Sequence, residues 1–569
     1  MRKRLLVRHF LYQFVENDFT PDSDRHQVLA LAAAGVITVP LFVTVFMGWR
    51  YLMRPLQAPG WTEMTMLNDQ MLFCGTSLLV SAVIAAVQWD ALSVSRRDAM
   101  ILGVLPVPRR EVVHAKVQSV AIFASVFVAA LNVLPAILHP PLMVANLPLN
   151  VVMLLPLIGA RAMSTCLAGA FGFTVVVAFR EMLYAVLRRP RFEEYSDVVR
   201  SMLLFVLLVF VALLPTSLAA GNEWILEPGG PVVQRPVSWF AATDATVVSA
   251  VLERLPQPDM PAWRVQEEEQ LRARYRHGLA RLHVRAGTGL VALASLLALA
   301  AALYWRNARQ LQLLPEEHSG APIARLSRAV AGVGRFMGRS SARRAGAAFL
   351  FRTAFDSPQH RLYLIISAAA SIALLNAMAP TPVGDGPAML RTYQVAAQTL
   401  VLAGLIAGFR AIIRTSADER AAWTFAVGDT GSLPAYRAGV HLGILTVSMA
   451  VVVLLIPMYA RAWGLPLAIR HGVSGASLAC VLVETACGSV NRPLVSTIPP
   501  NDGLNTVGVV FLGALVLLAF VLARIERAAL ATFSQTALFA GALLVVAFCF
   551  RTLNARNQNV SDAVIFDGG

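Results

Sequence analysis

The sequence predicts an all-α polytopic membrane protein with about twelve transmembrane helices, arranged as two six-helix units. Of the 569 residues, 57% are hydrophobic and only 14% are charged, whereas soluble domains carry about a quarter charged residues. The mean hydropathy is +0.62. Runs of about 20 apolar residues, the length that a helix needs to cross a bilayer, recur along the whole chain.

Residues 1–26 predict an amphipathic helix on the membrane surface. Apolar side chains recur there at helical spacing between basic ones, namely Leu6, Val7, Phe10, Leu11, Phe14 and Val15. The alternative is a basic flank that only orients the first span. Because charges interrupt the apolar positions, we expect no cleavable signal peptide.

The apolar runs give the approximate positions of the spans. We place them at 28–48, 70–88, 117–137, 161–179, 201–219, 287–305, 362–380, 394–412, 439–460, 472–487, 504–523 and 534–550. An apolar stretch at 149–160 is expected to form a separate re-entrant or interfacial piece. Arg161, His441 and Glu484 fall near span ends, where a long side chain reaches the interface and avoids the cost of about 3 kcal/mol for a charge at mid-bilayer.

The basic residues indicate the orientation of the chain. The net charge is +15, and arginines recur in alternate loops, at 89–116, 180–200, 306–361 and 413–438. The segment 220–286 breaks this pattern with eight arginines, but long loops are translocated largely regardless of charge. Because positive residues flank spans on the cytoplasmic side, we expect a cytoplasmic N-terminus. We expect the basic residues to interact with the lipid bilayer and not with nucleic acid. Only two of the 48 basic residues are lysines, which indicates a GC-rich bacterial genome and hence the plasma (inner) membrane.

One sizeable segment, 220–286, is predicted to be extracytoplasmic. Trp239 and Phe240 are expected to pack there against the membrane surface or in a small local core. Residues 261–285 have no helix breaker after Pro261, so they predict a helix that leads into the sixth span.

The order of elements suggests an internal repeat. Residues 9–33 and 348–367 each run from an apolar-aromatic helix through a polar break with an Arg–His or His–Arg pair into a span. We therefore predict a first unit at 1–305, a basic cytoplasmic linker at 306–345 and a second unit at 346–569.

Several kinds of site have no motif in the sequence. A phosphate-binding P-loop needs Gly-Lys-Ser or Gly-Lys-Thr, and neither Lys3 nor Lys116 follows a glycine. We expect no enzyme activity and no cofactor in this chain. The cysteines show no metal-ligand spacing and are expected to act as small apolar residues: Cys74, Cys166, Cys480, Cys487 and Cys549.

The segment "SRRDAMILGVLPVPRREVVHAKV" at 95–117 lies between two spans and is basic and half-apolar. Pro106 and Pro108 break one helix, and Pro108 suits the first turn of the next. Arg109, Arg110 and Lys116 are expected to hold that helix's start among the lipid headgroups. A plain basic turn between spans is the alternative.

This phrase resembles the cytoplasmic segment between the second and third spans of type-2 ABC exporter permeases. The matching residues are Leu105, Pro106, Val107, Pro108, Arg109, Arg110, Glu111, Val112, Val113, Ala115 and Lys116. The resemblance implies a fused twelve-span permease that exports a substrate with energy from a separate ATPase subunit, which would hold the ATP and Mg. It also implies a coupling helix that docks on this ATPase through Leu102, Leu105, Pro106, Arg109, Arg110 and Glu111.

The second half matches the family more loosely. Residues 415–440 lack the Pro-Arg-Arg-Glu run, but Arg420, Trp423 and Phe425 are expected to form a second docking segment, and 492–503 is similar to the family before the eleventh span. Nothing in the sequence selects the exported substrate. The alternatives are an ion-coupled secondary transporter, a membrane-embedded enzyme and an assembly factor.

Overall fold

A computed structural model describes the following residues: 2–14, 59–94, 107–143, 151–219, 236–252, 262–308, 340–379, 391–414, 433–488 and 506–560, with isolated positions within 40–51 and 98–105 and at 332. Helices account for nearly all of these residues, and no strand occurs among them. The all-α class predicted from the apolar runs is therefore confirmed.

The chain divides into two compact units. The first comprises Met1–Ser196 and Val206–His318, and the second comprises Asp197–Phe205 and Ser319–Gly569. The first contains α1 (Arg2–Gln13), α2 (Pro59–Val87), α3 (Arg109–Met143), most of α4 (Val151–Ala219), α5 (Pro236–Leu252) and α6 (Ala262–Ala308). The second contains α7 (Ser341–Asp356), α8 (Pro358–Ala377), α9 (Thr392–Arg414), α10 (Leu433–Trp463), α11 (Leu465–Gly488), α12 (Thr506–Ala529) and α13 (Phe533–Val560).

Within the described residues, 10 helical stretches are long and apolar enough to cross a membrane. They coincide with the second to tenth and the twelfth of the predicted spans. The first predicted span, 28–48, lies mostly outside the described residues. The eleventh lies on α12, whose side chains are described only from residue 517. A multi-pass membrane protein is therefore established, and the total of twelve stays a prediction.

The prediction of a loop at 180–200 is wrong, because every residue there is helical within α4. The chain nevertheless reverses direction. The rings of Tyr184 and Phe192 lie 5.1 Å apart, whereas eight residues of straight helix rise about 12 Å. Pro190 falls inside this interval, and proline is a common cause of sharp helix bends. Leu167 and Leu214 consequently pack on the same core cluster.

The start of α4 also corrects the sequence interpretation. Residues 149–160 were expected to form a separate piece, but α4 begins at Val151 and continues through Arg161 without interruption. The helix runs through Pro156 and Gly159, although both residue types are unfavourable in a helix interior. Arg161 therefore lies ten residues inside the helix and not at its end.

Helix α5 is part of the core of the first unit. Phe240, Ala242 and Ala245 are fully buried against Leu67 and Met71 of α2. At 17 residues α5 is shorter than the roughly 20 that a span requires. Its row of alanines allows close approach of the neighbouring helices. Phe240 therefore lies in the core of the first unit and Trp239 lies beside Phe171 of α4, with ring centroids 6.4 Å apart, instead of in a small local core of the segment 220–286.

In the second unit, two glycines set the crossing of α7 and α10. A Cβ on Gly346 would collide with the backbone carbonyl of Tyr436, and a Cβ on Gly439 would collide with that of Arg343. The two backbones therefore touch at this point. Leu350 of α7 and Val440 of α10 continue the contact in a buried cluster with Phe409 of α9.

Candidate functional site

The predicted docking segment has an exposed edge and a buried underside. Ile101 and Leu105 are 53% and 48% exposed, and Pro108 and Arg110 are also exposed at the start of α3. Glu111 is half-buried. Of the other predicted docking residues, Pro106 and the side chain of Arg109 lie outside the described positions. Two apolar side chains and one guanidinium thus lie on the outer side of this segment.

The underside of the segment packs on α1. Leu102 and Val107 are half-buried against a cluster formed by Leu6 and Phe10 of α1 and Ala115 of α3. The apolar positions of α1 that suggested an interfacial helix therefore contact the protein. The structure places Leu6, Phe10 and Phe14 in the buried core. Helix α1 therefore packs against the buried side of the docking segment.

Lys116 is fully buried and not among the headgroups, which corrects the sequence interpretation. Its Nζ donates a hydrogen bond to Oε1 of Gln13, at 2.8 Å. The same nitrogen lies 4.8 Å from the ring centroid of Phe10 and 5.2 Å from that of Phe14. Aromatic faces attract a desolvated cation, so α1 provides both the acceptor and the rings that accommodate the ammonium group.

Asp98 links the other end of the segment to α1. Its carboxylate lies 2.9 Å from Nε2 of His9 and accepts a hydrogen bond from the side-chain amide of Gln13. Gln13 therefore contacts both Asp98 and Lys116. Because these two residues bracket the exposed edge, α1 holds the segment at both ends.

A second polar cluster lies on α4 and α6. Arg180 forms an ion pair with Glu181 at 2.6 Å and donates to the Ser93 hydroxyl at 2.7 Å. Asn307 donates to the carboxylate of Glu181 at 2.8 Å. Trp89 donates to the hydroxyl of Ser196. The residues after α2, the bend of α4 and the end of α6 are thereby joined by buried hydrogen bonds.

Buried charges also occur deeper in the first unit. Nε of Arg161 lies 2.6 Å from Oδ2 of Asp244, and both side chains are 1% exposed. The guanidinium also lies over the ring of Phe73 at 5.4 Å. On α2, Asp69 accepts a hydrogen bond from Tyr51 at 2.6 Å and lies 3.5 Å from His139 of α3.

The second unit brings together two of the charges that the sequence had placed near span ends. His441 of α10 and Glu484 of α11 lie 3.7 Å apart. Elsewhere in this unit, Nδ1 of His471 lies 2.7 Å from Glu526, and both side chains are buried. The predicted second docking residues lie outside the described part of the chain: Arg420, Trp423 and Phe425.

Four of the five cysteines lie among the described residues. Cys74 is buried, Cys166 and Cys480 are half-buried, and Cys549 is exposed. The described residues contain no group of three His, Cys, Asp or Glu side chains that could hold a metal ion.

Sequence reasoning missed most of the polar partners. No sequence motif includes the following residues: Gln13, Arg180, Glu181, Asn307 and Asp244. One signal was available for the docking segment: a lysine in a chain that otherwise uses arginine almost everywhere. An ammonium group is compact and fits between two rings and one amide, whereas a guanidinium is larger and planar.

No protein-family model, no curated protein and no solved structure matches this chain.

Proposed function

We propose that this chain is the membrane-spanning permease subunit of an ABC export system, powered by a separate ATPase subunit that holds ATP and Mg. The observation that supports the proposal best is the exposed edge of Ile101, Leu105 and Arg110. A cytosolic partner can bury the two apolar side chains and pair the guanidinium with a carboxylate. Contiguous exposed apolar surface with a polar rim is typical of protein contact sites.

The support beneath this edge strengthens the proposal. A segment that passes force from an ATPase to membrane helices needs firm attachment to them. Asp98 and Lys116 join the segment to α1, and the cluster of Arg180 and Glu181 joins the neighbouring residues to α4 and α6. Movement of the segment would therefore be transmitted to α3 directly and to α4 and α6 through their shared polar contacts.

Purification of the full chain from its native membranes tests the docking edge. We expect an ATPase with a P-loop of the ABC type to co-purify, quantified by mass spectrometry. The double substitution Leu105→Asp with Arg110→Glu should reduce its recovery about tenfold or more, because it removes an apolar contact and reverses a charge at one interface. Membrane insertion should be unchanged, since both side chains are exposed.

The matched control is Leu465→Asp with Arg461→Glu. These residues are also an exposed leucine and an exposed arginine, at the junction of α10 and α11. The control pair should leave ATPase recovery at the wild-type level. Wild-type recovery with the docking-edge pair would contradict the docking assignment.

An ion-coupled transporter is the second candidate, and the buried pairs His139–Asp69 and His471–Glu526 favour it. Ionisable residues inside transmembrane helices often mark ion or proton pathways. This candidate predicts that no ABC ATPase co-purifies with the wild-type chain. It also predicts that a pH gradient alone alters the transport of its substrate in liposomes.

A further inference from the structure

The second unit contains a cavity of about 430 Å³ between α7, α10, α11 and α13. It lies within the size range of small-ligand sites, roughly 300–1,000 Å³. Its walls combine two kinds of side chain in separate groups. One group is polar and mostly basic, and the other is apolar and continues onto an exposed helix face.

The basic group consists of Arg343, Arg437 and Arg551 together with His441. Among the described lining residues one carries a carboxylate, Glu484, which lies 3.7 Å from His441. Asn554 donates to the backbone carbonyl of Glu484 at 3.0 Å and so does not compete for the carboxylate. Among the described lining residues, the exposed arginines Arg343 and Arg551 add two guanidinium groups beside one carboxylate, so this part of the cavity wall is mainly basic.

The apolar group comes mainly from α10, α11 and α13. Leu445, Val483 and Ala547 line the cavity. Leu544 and Phe548, also in its wall, are 49% and 66% exposed on the outer face of α13. That face belongs to the candidate span Phe533–Asn554. The cavity wall therefore includes exposed apolar side chains on a helix that is long and apolar enough to cross a membrane.

The cavity lies at one end of its helices. Its lining residues occupy the first turns of α10, the last turns of α11 and the last part of α13. The predicted loop 413–438, which the arginine distribution places in the cytoplasm, includes the first residues of α10. The cytoplasmic leaflet of membranes carries anionic lipid headgroups, which attract basic residues near the surface.

We propose that this cavity binds the phosphate headgroup of an anionic membrane lipid. Arginine forms paired, charge-assisted hydrogen bonds with phosphate oxygens. The headgroup phosphate would bind the guanidinium groups of Arg343 and Arg551. An acyl chain would leave along Leu544 and Phe548. A soluble phosphate compound shares the headgroup chemistry but gains nothing from the apolar wall. This proposal does not depend on the export function.

The test compares lipid binding to the full-length chain in neutral detergent, measured by native mass spectrometry. Phosphatidylglycerol should bind more tightly than phosphatidylcholine with the same acyl chains. Arg343→Gln with Arg551→Gln should weaken phosphatidylglycerol binding about tenfold or more, because each basic residue contributes to headgroup affinity. Phosphatidylcholine binding should fall much less, because its choline cation already offsets the charge of its phosphate. Both arginines are exposed, so we expect normal folding.

The control is Arg461→Gln with Arg524→Gln, which removes two charges from exposed positions outside the cavity. It should leave binding of both lipids unchanged. Equal losses in the two double variants would overturn the proposal, because they would show a response to net charge alone. Glycerol 3-phosphate that binds as tightly as the lipid would overturn the assignment to a lipid.

A native thiol provides a second measurement on the unmodified protein. Cys480 lines the cavity and is half-buried, whereas Cys166 is half-buried on α4, in the first unit. Phosphatidylglycerol should slow alkylation of Cys480 severalfold relative to phosphatidylcholine and leave Cys166 unchanged, as read by peptide mass spectrometry. Equal rates for Cys480 in the two lipids would also overturn the proposal.

Discussion

At the residue scale, the first unit depends on charges that have no contact with water. Arg161 and Asp244 are each 1% exposed and form an ion pair at 2.6 Å. Among the described residues, Nη1 and Nη2 of Arg161 find no hydrogen-bond acceptor. Desolvating two charges is costly, and their attraction offsets that cost only while both are present. The packing of α5 in the unit therefore depends on the ion pair with α4.

Removal of one partner should destabilise the protein strongly. Asp244→Asn leaves the Arg161 cation buried without a counter-charge, and we expect a loss of about 3–5 kcal/mol in the free energy of unfolding. Arg161→Met combined with Asp244→Leu should recover most of that loss, since neither charge then remains. Unfolding of the purified protein in detergent, followed by circular dichroism against denaturant, measures both.

A surface pair provides the comparison for this substitution. Arg352 and Asp356 lie 3.2 Å apart and are 68% and 38% exposed. Asp356→Asn should cost under about 1 kcal/mol, because water screens exposed pairs. If Asp244→Asn lowered the free energy of unfolding no more than Asp356→Asn does, the buried pair would contribute no more to stability than an exposed one.

At the element scale, close helix contact in the second unit requires glycine. Helix α7 reaches α10 so closely that Gly346 and Gly439 leave no room for a Cβ. In membranes, small residues allow backbones to approach and so provide much of the packing between helices. The same crossing positions Arg343 and Arg437 beside the cavity.

Alanine at Gly439 should weaken this crossing. The added Cβ would meet the backbone of Arg343 and Ala347, which cannot rotate away as a side chain can. We expect a loss of about 1–3 kcal/mol in unfolding free energy, as for other overpacked sites. The measurement is the denaturant midpoint in detergent.

Gly541 is the matched control, because a Cβ there meets no atom within 4 Å. Gly541→Ala should stabilise α13 by about 0.5–1 kcal/mol, the usual gain for alanine in a helix interior. Equal effects of the two alanines would show that helix propensity and not the crossing sets the result.

At the scale of the whole molecule, several segments that the sequence predicts on one side of the membrane meet at one end of the first unit. Residues from α1, the segment 88–116, the bend of α4 and the end of α6 meet there through Gln13, Trp89, Lys116, Arg180 and Asn307. The sequence predicted that these segments share the cytoplasmic side. Their contact at one end of the unit is what a common side requires.

Reporter fusions test this orientation. Alkaline phosphatase, which is active only outside the cytoplasm, should be active after Leu252 and inactive after Ala308 and Arg414. A fluorescent protein that matures only in the cytoplasm should give the reverse pattern at the same three positions. An active phosphatase after Ala308 would contradict the predicted topology, because the sixth span would then end outside.

The sequence by itself determined the fold class and ten of the spans, because the bilayer demands about 20 apolar residues in succession and such runs can be read locally. It also marked 95–117 as unusual, through two prolines and a rare lysine. Local patterns did not reveal that residues 180–200 turn while remaining helical, nor that α5 enters the core.

Only the tertiary structure decided which side chain partners each buried cation. Lys116 meets Gln13 and Arg161 meets Asp244 across long stretches of chain. Reasoning from the sequence placed Lys116 at the headgroups and Arg161 at a helix end, since an isolated charge is most stable there. Folding instead brings each cation to a partner from another helix, and a buried charge is tolerable only where such a partner exists.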